Sequence, residues 1–114
     1  MNLPVPAITD DYRATAAACL DRLGWAVADT ELVAVTRYAE AVPMLRVFHP
    51  KLPNVGESIS AVPVREDGAD PVWWYRHSGG GRLAPCADPS RALECVFELL
   101  DLVIRIAHGE RVKS

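Results

Sequence analysis

Between Asp88 and Gly109 the polar residues Arg91, Glu94, Glu98, Asp101, Arg105 and His108 recur at spacings of three and four, and almost everything between them is apolar. That pattern fits only a helix, and a helix with an unusually narrow wet stripe. Asp88 is placed to cap it, Pro89 suits the first helical position, and Gly109 is a fitting stop, so the spacing predicts a helix over 89–108. Its apolar residues, Leu93, Cys95, Val96, Phe97, Leu99, Leu100, Leu102, Val103, Ile104 and Ile106, cover more than the stripe of roughly 100° that packing on one sheet requires. Two sides of this helix are expected to be dry, and Leu99, Leu102, Val103 and Ile106 are assigned to a dimer or partner surface.

The rest of the chain must supply what that helix packs against. Thr9 or Asp10 can cap a first helix, Asp10 and Asp11 favour its N-terminal dipole, and Gly24 stands where a left-handed C-terminal residue is wanted. From Leu32 the texture becomes β-branched and aromatic. Runs at 32–38 and 43–49 read as a hairpin, in preference to a helix from Asp29 to Val42, because Val33, Val35 and Thr36 are stiff at χ1. A third strand is expected over 59–65, with Pro63 confining it to an edge or bulge. The turn Glu66-Asp67-Gly68 leads to Val72–His77, the clearest strand in the chain, and Ser78-Gly79-Gly80-Gly81 turns it into a short strand over 82–85. The expectation is an α+β domain: N-terminal helix, antiparallel meander of about five strands, long apolar C-terminal helix.

At 114 residues, half of them hydrophobic, the chain reads as a single domain over 1–114, with a proline-bearing arm over 1–8 and a frayed tail over 110–114. The most apolar stretch, Cys95–Ala107, is cut by Glu98, Asp101 and Arg105, so no membrane span is expected. The first ten residues have neither a basic group nor a signal-peptide core, and the expected location is cytoplasmic. A net charge of -3 argues against nucleic acid as the main partner.

Catalytic signals are sparse. Cys19, Cys86 and Cys95 lack CxxC spacing and read as reduced thiols, although Cys86 stands close before a helix start, where a thiol can be activated. His49, His77 and His108 lack metal-ligand spacing, Gly79–Gly81 is not followed by a P-loop pattern, and the acids Glu66, Asp67 and Asp70 belong to a turn. No catalytic residue, metal or cofactor is assigned.

Binding signals are stronger. The strand Val72–His77 has apolar groups at both parities, Val72 and Trp74 on one, Trp73 and Tyr75 on the other, and the run from Met44 to Phe48 repeats this. Each strand also carries an arginine: Arg37, Arg46, Arg65, Arg76 and Arg82. If several shared a face with the aromatics, the sheet would offer cation and π surfaces to a small anionic or aromatic ligand or to an acidic peptide. Contact residues are therefore expected among Trp73, Trp74, Tyr75, Arg76, His77, Arg46 and Phe48.

In this order of elements the chain resembles the secretion-chaperone-like α+β domains, including the type III secretion chaperones and the YbjN-like regulators, which differ in placing a third helix among their strands. The resemblance implies a non-catalytic dimer that binds an extended protein segment. The competing reading is a small cyclase- or isomerase-type enzyme with a pocket between helix and sheet lined by Trp73, Trp74 and Tyr75. A pocket of roughly 300 Å³ or more with convergent polar groups favours the enzyme, and a flat apolar patch the binding module.

Overall fold

A computed structural model describes residues 9–107. Two helices, α1 (Asp10–Ala28) and α2 (Pro89–Ala107), flank in sequence a five-stranded antiparallel meander: β1 (Val33–Arg37), β2 (Met44–Phe48), β3 (Gly56–Val64), β4 (Val72–His77) and β5 (Arg82–Pro85). The strands lie in sequence order, so β1 and β5 are the sheet edges. This is the α+β architecture that the sequence leads one to expect. The arm over 1–8, His108, Gly109 and the tail lie outside the described residues, as do the side chains of Val103 and Ile106.

Local chemistry accounts for the helix ends. The Thr9 hydroxyl accepts the Tyr12 N–H at 3.1 Å, and the Asp88 carboxylate accepts the Arg91 N–H at 3.1 Å, each satisfying a donor that a helix start leaves free. Gly24 does not end α1. The helix runs another turn, because Val27 is fully buried and Thr30 takes over the stop: its hydroxyl donates to the Val27 carbonyl at 2.7 Å and accepts the Leu32 N–H at 3.0 Å. A central glycine costs about 1 kcal/mol relative to alanine, less than burying one valine side chain gains.

The segment over 29–42 contains β1, not a helix, and it pairs with β2 from Val33↔Phe48 to Arg37↔Met44. Pro63 is not on an edge strand. β3 is central, but β2 covers it only from Gly56 to Ile59, so the missing N–H of Pro63 falls where β3 has outrun its neighbour on that side.

Both helices pack on the same face of the sheet. Ala16, Cys19, Leu20, Leu23 and Val27 of α1 and Ala92, Val96 and Leu100 of α2 form one core with Leu45, Val47, Ile59, Ala61, Tyr75 and Ala84 of the inner sheet face. The α1 set recurs at three and four, the sheet set at every second residue, as the two geometries demand. Beyond the core, α2 keeps Leu93, Cys95, Phe97 and Leu99 half-buried, and Leu102 is 52% exposed. No helix among the described residues is long and apolar enough to cross a membrane.

Candidate functional site

Because both helices lie on one side, no helix among the described residues covers the opposite face of the sheet. The register fixes what stands on it. Val35 is opposite Arg46, Arg46 opposite Ser58, Ser60 opposite Arg76, and Arg76 opposite Arg82, while Arg37 lies opposite Met44 and Trp74 opposite Val62 and Pro85. All but Arg82 have the parity that alternates with the core set; Arg82 shares the parity of buried Ala84, and a register shift between Tyr75 and Arg76 brings it opposite Arg76 and over the Trp74 ring. Four arginines from four strands therefore share one outer face with Trp74, Met44 and Phe48, and no strand residue of that parity is acidic. Arg65 is the exception to one arginine per strand, lying just past the end of β3.

The electrostatics of this face are unbalanced. Arg76 and Arg82 are direct cross-strand neighbours, a like-charge pairing that weakens a sheet. The Arg82 guanidinium lies 5.0 Å from the Trp74 ring centroid, which offsets part of that cost through the π cloud. Among the described residues none of Arg37, Arg46, Arg76 and Arg82 has a carboxylate within 4.0 Å.

At one end the face deepens into an open concavity of about 420 Å³, floored by Met44, Ser58, Ser60 and Arg76 and walled by Glu40–Val42 and the turn after β4. α1 holds the first wall from behind. Arg13 donates to the Tyr38, Glu40 and Ala41 carbonyls at 3.0–3.1 Å, and the Tyr38 hydroxyl donates to Asp21 at 2.7 Å. The second wall depends on its glycines. Gly80 has φ 95°, and a Cβ on Gly79 or Gly81 would stand 2.6 Å from the His77 ring, which folds back to accept the Gly79 N–H at 3.0 Å.

The seven residues expected at a contact surface are thus divided. Trp74, Arg76, Arg46 and Phe48 share the outer face, and His77 joins them at the concavity through its folded ring. Trp73 and Tyr75 have the opposite parity and belong to the helix-covered side. Trp73 packs against the core with its ring centroid 5.0 Å from that of Tyr12, and Tyr75 is fully buried, its hydroxyl donating to the Cys19 carbonyl. Burial pushes the Tyr75 phenol well above its ordinary range. The space between helices and sheet, where the competing reading placed an aromatic-lined enzyme pocket, is filled by this core. Ser58, Ser60, Ser78 and the wall over 40–42 were not legible as site residues, since only the register and the hairpin closure bring them together.

No acid-base pair is formed in the concavity. The Ser78 hydroxyl donates to Glu57 at 2.9 Å, Ser60 is 3.5 Å from the Arg76 carbonyl, and among the described residues no hydrogen bond joins a serine to His77. The other candidate, Cys86, is 2% exposed, and its thiol is pushed far up by burial first and by the neighbouring Cys19 second. A protonated thiol is a poor nucleophile. Labelling of the folded chain at neutral pH is accordingly expected to leave Cys86 and Cys19 far slower than free cysteine, with half-buried Cys95 reacting first. A fast Cys86 would show the site to be open. Among the described residues no cluster of His, Cys, Asp or Glu could hold a metal ion. No protein-family model, curated protein or solved structure matches the chain.

Proposed function

We propose that the protein is a small non-catalytic binding module that receives an acidic, extended protein segment on the outer face of its sheet. The observation that carries this reading is the set Arg46, Arg76 and Arg82, with no strand acid on their face and two of the three directly opposed. A sheet that tolerates its own repulsion is stabilised when an anion is bound between the like charges. Guanidinium groups are suited to carboxylates because their planar fork can bond two oxygens at once, and Trp74 adds a rigid apolar anchor beside them. The architectural resemblance to secretion chaperones supports the same kind of ligand.

The test is fluorescence anisotropy with a labelled peptide in which Asp and Glu alternate with aromatic residues. Its controls are the same peptide with Asn and Gln at the acidic positions, and a single-stranded oligonucleotide. The acidic peptide should bind, and binding should weaken as salt rises and screens the exposed charges. Arg46→Glu with Arg76→Glu should weaken it by about tenfold or more without lowering thermal stability, since Glu at 76 would face Arg82 as an opposite charge. Equal binding of the acidic and amide peptides, or binding of the oligonucleotide alone, would overturn the reading.

A second reading rests on the concavity, whose volume of about 420 Å³ and polar groups Arg76, His77, Ser58, Ser60 and Ser78 reach the size that favours an enzyme, although it lies on the outer face, without a serine–histidine hydrogen bond and with Glu40 in its wall. A small anionic molecule would fit this end of the face. Retention of free phosphate or a dicarboxylate without the peptide, lost on Arg76→Glu, would favour it.

A further inference from the structure

The two sheet edges are not alike. β5 is four residues long and ends in Pro85, which has no N–H to offer, and both features blunt an edge. β1, five residues long, has no proline or lysine, its one charge being Arg37 at the end, and among the described residues nothing pairs with its free side. Val33 and Val35 are exposed along it.

The sequence of this edge is complementary to itself when reversed. In Glu31-Leu32-Val33-Ala34-Val35-Thr36-Arg37, a two-fold axis at Ala34 sets Ala34 against Ala34 and Val33 against the second copy's Val35. The same register brings Glu31 opposite the second copy's Arg37, once on each side of the axis. Glu31 is exposed, with His49 3.6 Å from its carboxylate, and Arg37 has no carboxylate within 4.0 Å among the described residues. Opposite charges facing each other across antiparallel strands favour that register and disfavour its neighbours.

A second feature stands beside the axis. Trp25 of α1 is 69% exposed, the most exposed large apolar side chain described, and it borders a groove of about 190 Å³ with Ala34, Thr36 and Tyr38. Ala34, the residue on that axis, lines the same groove as Trp25, so an axis there would bring the grooves of two copies, each with its Trp25, to the same side of the joined sheet.

We infer that β1 is a homodimer interface, in which two copies join their sheets antiparallel through Ala34 and bury Trp25 between them. The arrangement is isologous, so one strand supplies both halves of every contact. It doubles the sheet to ten strands and makes the two arginine faces continuous, and it uses β1 where the sequence pointed to α2. The inference does not depend on what the outer face binds.

Sedimentation and light scattering of the full chain between about 1 and 100 µM test it. A dimer is expected. Glu31→Arg and Arg37→Glu each replace two attractive pairs by two repulsive ones, which should weaken association by about tenfold. The double variant Glu31→Arg with Arg37→Glu restores attraction and should return to within about threefold of the original. Trp25→Ala should weaken dimerisation without lowering the thermal stability of the dissociated monomer, read at dilutions where the original chain no longer associates, and the β1 amides should exchange faster on dilution. A monomeric mass at 100 µM, a double variant no better than the single ones, or a dimer indifferent to these changes but broken by Leu102→Lys would overturn the inference.

Discussion

Tyr75→Ala is expected to destabilise the domain more than any other single substitution on the sheet, by about 4 kcal/mol, since removing a large core ring leaves a cavity that its surroundings fill only in part. The ring is fully buried at the centre of the inner face, opposite Ala61 on one side and Ala84 on the other, and these small neighbours cannot expand into the space. For a domain whose total stability is of the usual order of 5–15 kcal/mol, such a loss leaves about 1–11 kcal/mol, a thin margin at the lower end of that range. Tyr75→Phe keeps the ring and removes only the hydroxyl that donates to the Cys19 carbonyl, so it should cost about 1–2 kcal/mol. Urea unfolding of the two variants separates the terms. If phenylalanine costs as much as alanine, the hydrogen bond to α1, not the packing, is what the position supplies.

The adjacent tryptophans should respond in opposite ways. Trp73 stands on the inner face, half-buried, with its ring against Tyr12, and Trp73→Ala should cost about 2–3 kcal/mol of stability without a direct effect on a ligand of the outer face. Trp74 stands on the outer face under Arg82, and Trp74→Ala should change stability by less than about 1 kcal/mol while weakening capture of the acidic peptide by about 2 kcal/mol, as loss of an anchor tryptophan does. Thermal unfolding and anisotropy on both variants make a two-by-two comparison. Equal loss of stability in both with no change in binding would show the whole strand to be structural and move the ligand surface elsewhere.

The contrast between these neighbours shows where sequence reasoning reaches its limit. Alternation along Val72–His77 is enough to say that Trp73 and Trp74 point to opposite faces, because the pleat has a period of two whatever surrounds it. It does not say which face the helices take. For the same reason the arginines could be seen to interleave with aromatics, but not to share a face, since a shift of one residue in any pairing would have sent one of them to the core side.

Element type and order were legible because they depend on short-range chemistry: a capping carboxylate before a proline, β-branched runs, and a Gly-rich turn all act within a few residues. Gly24 was misread because a local stop signal was outweighed by burial of Val27, an energy visible only once α1 lies on the sheet. The placement of both helices on one face, the opposed Arg76 and Arg82, the concavity closed by Arg13 from behind, and the unpaired edge at β1 are products of tertiary packing. Each arises from contacts between segments far apart in the chain, and their geometry follows from strand register and helix docking, which local periodicity does not encode.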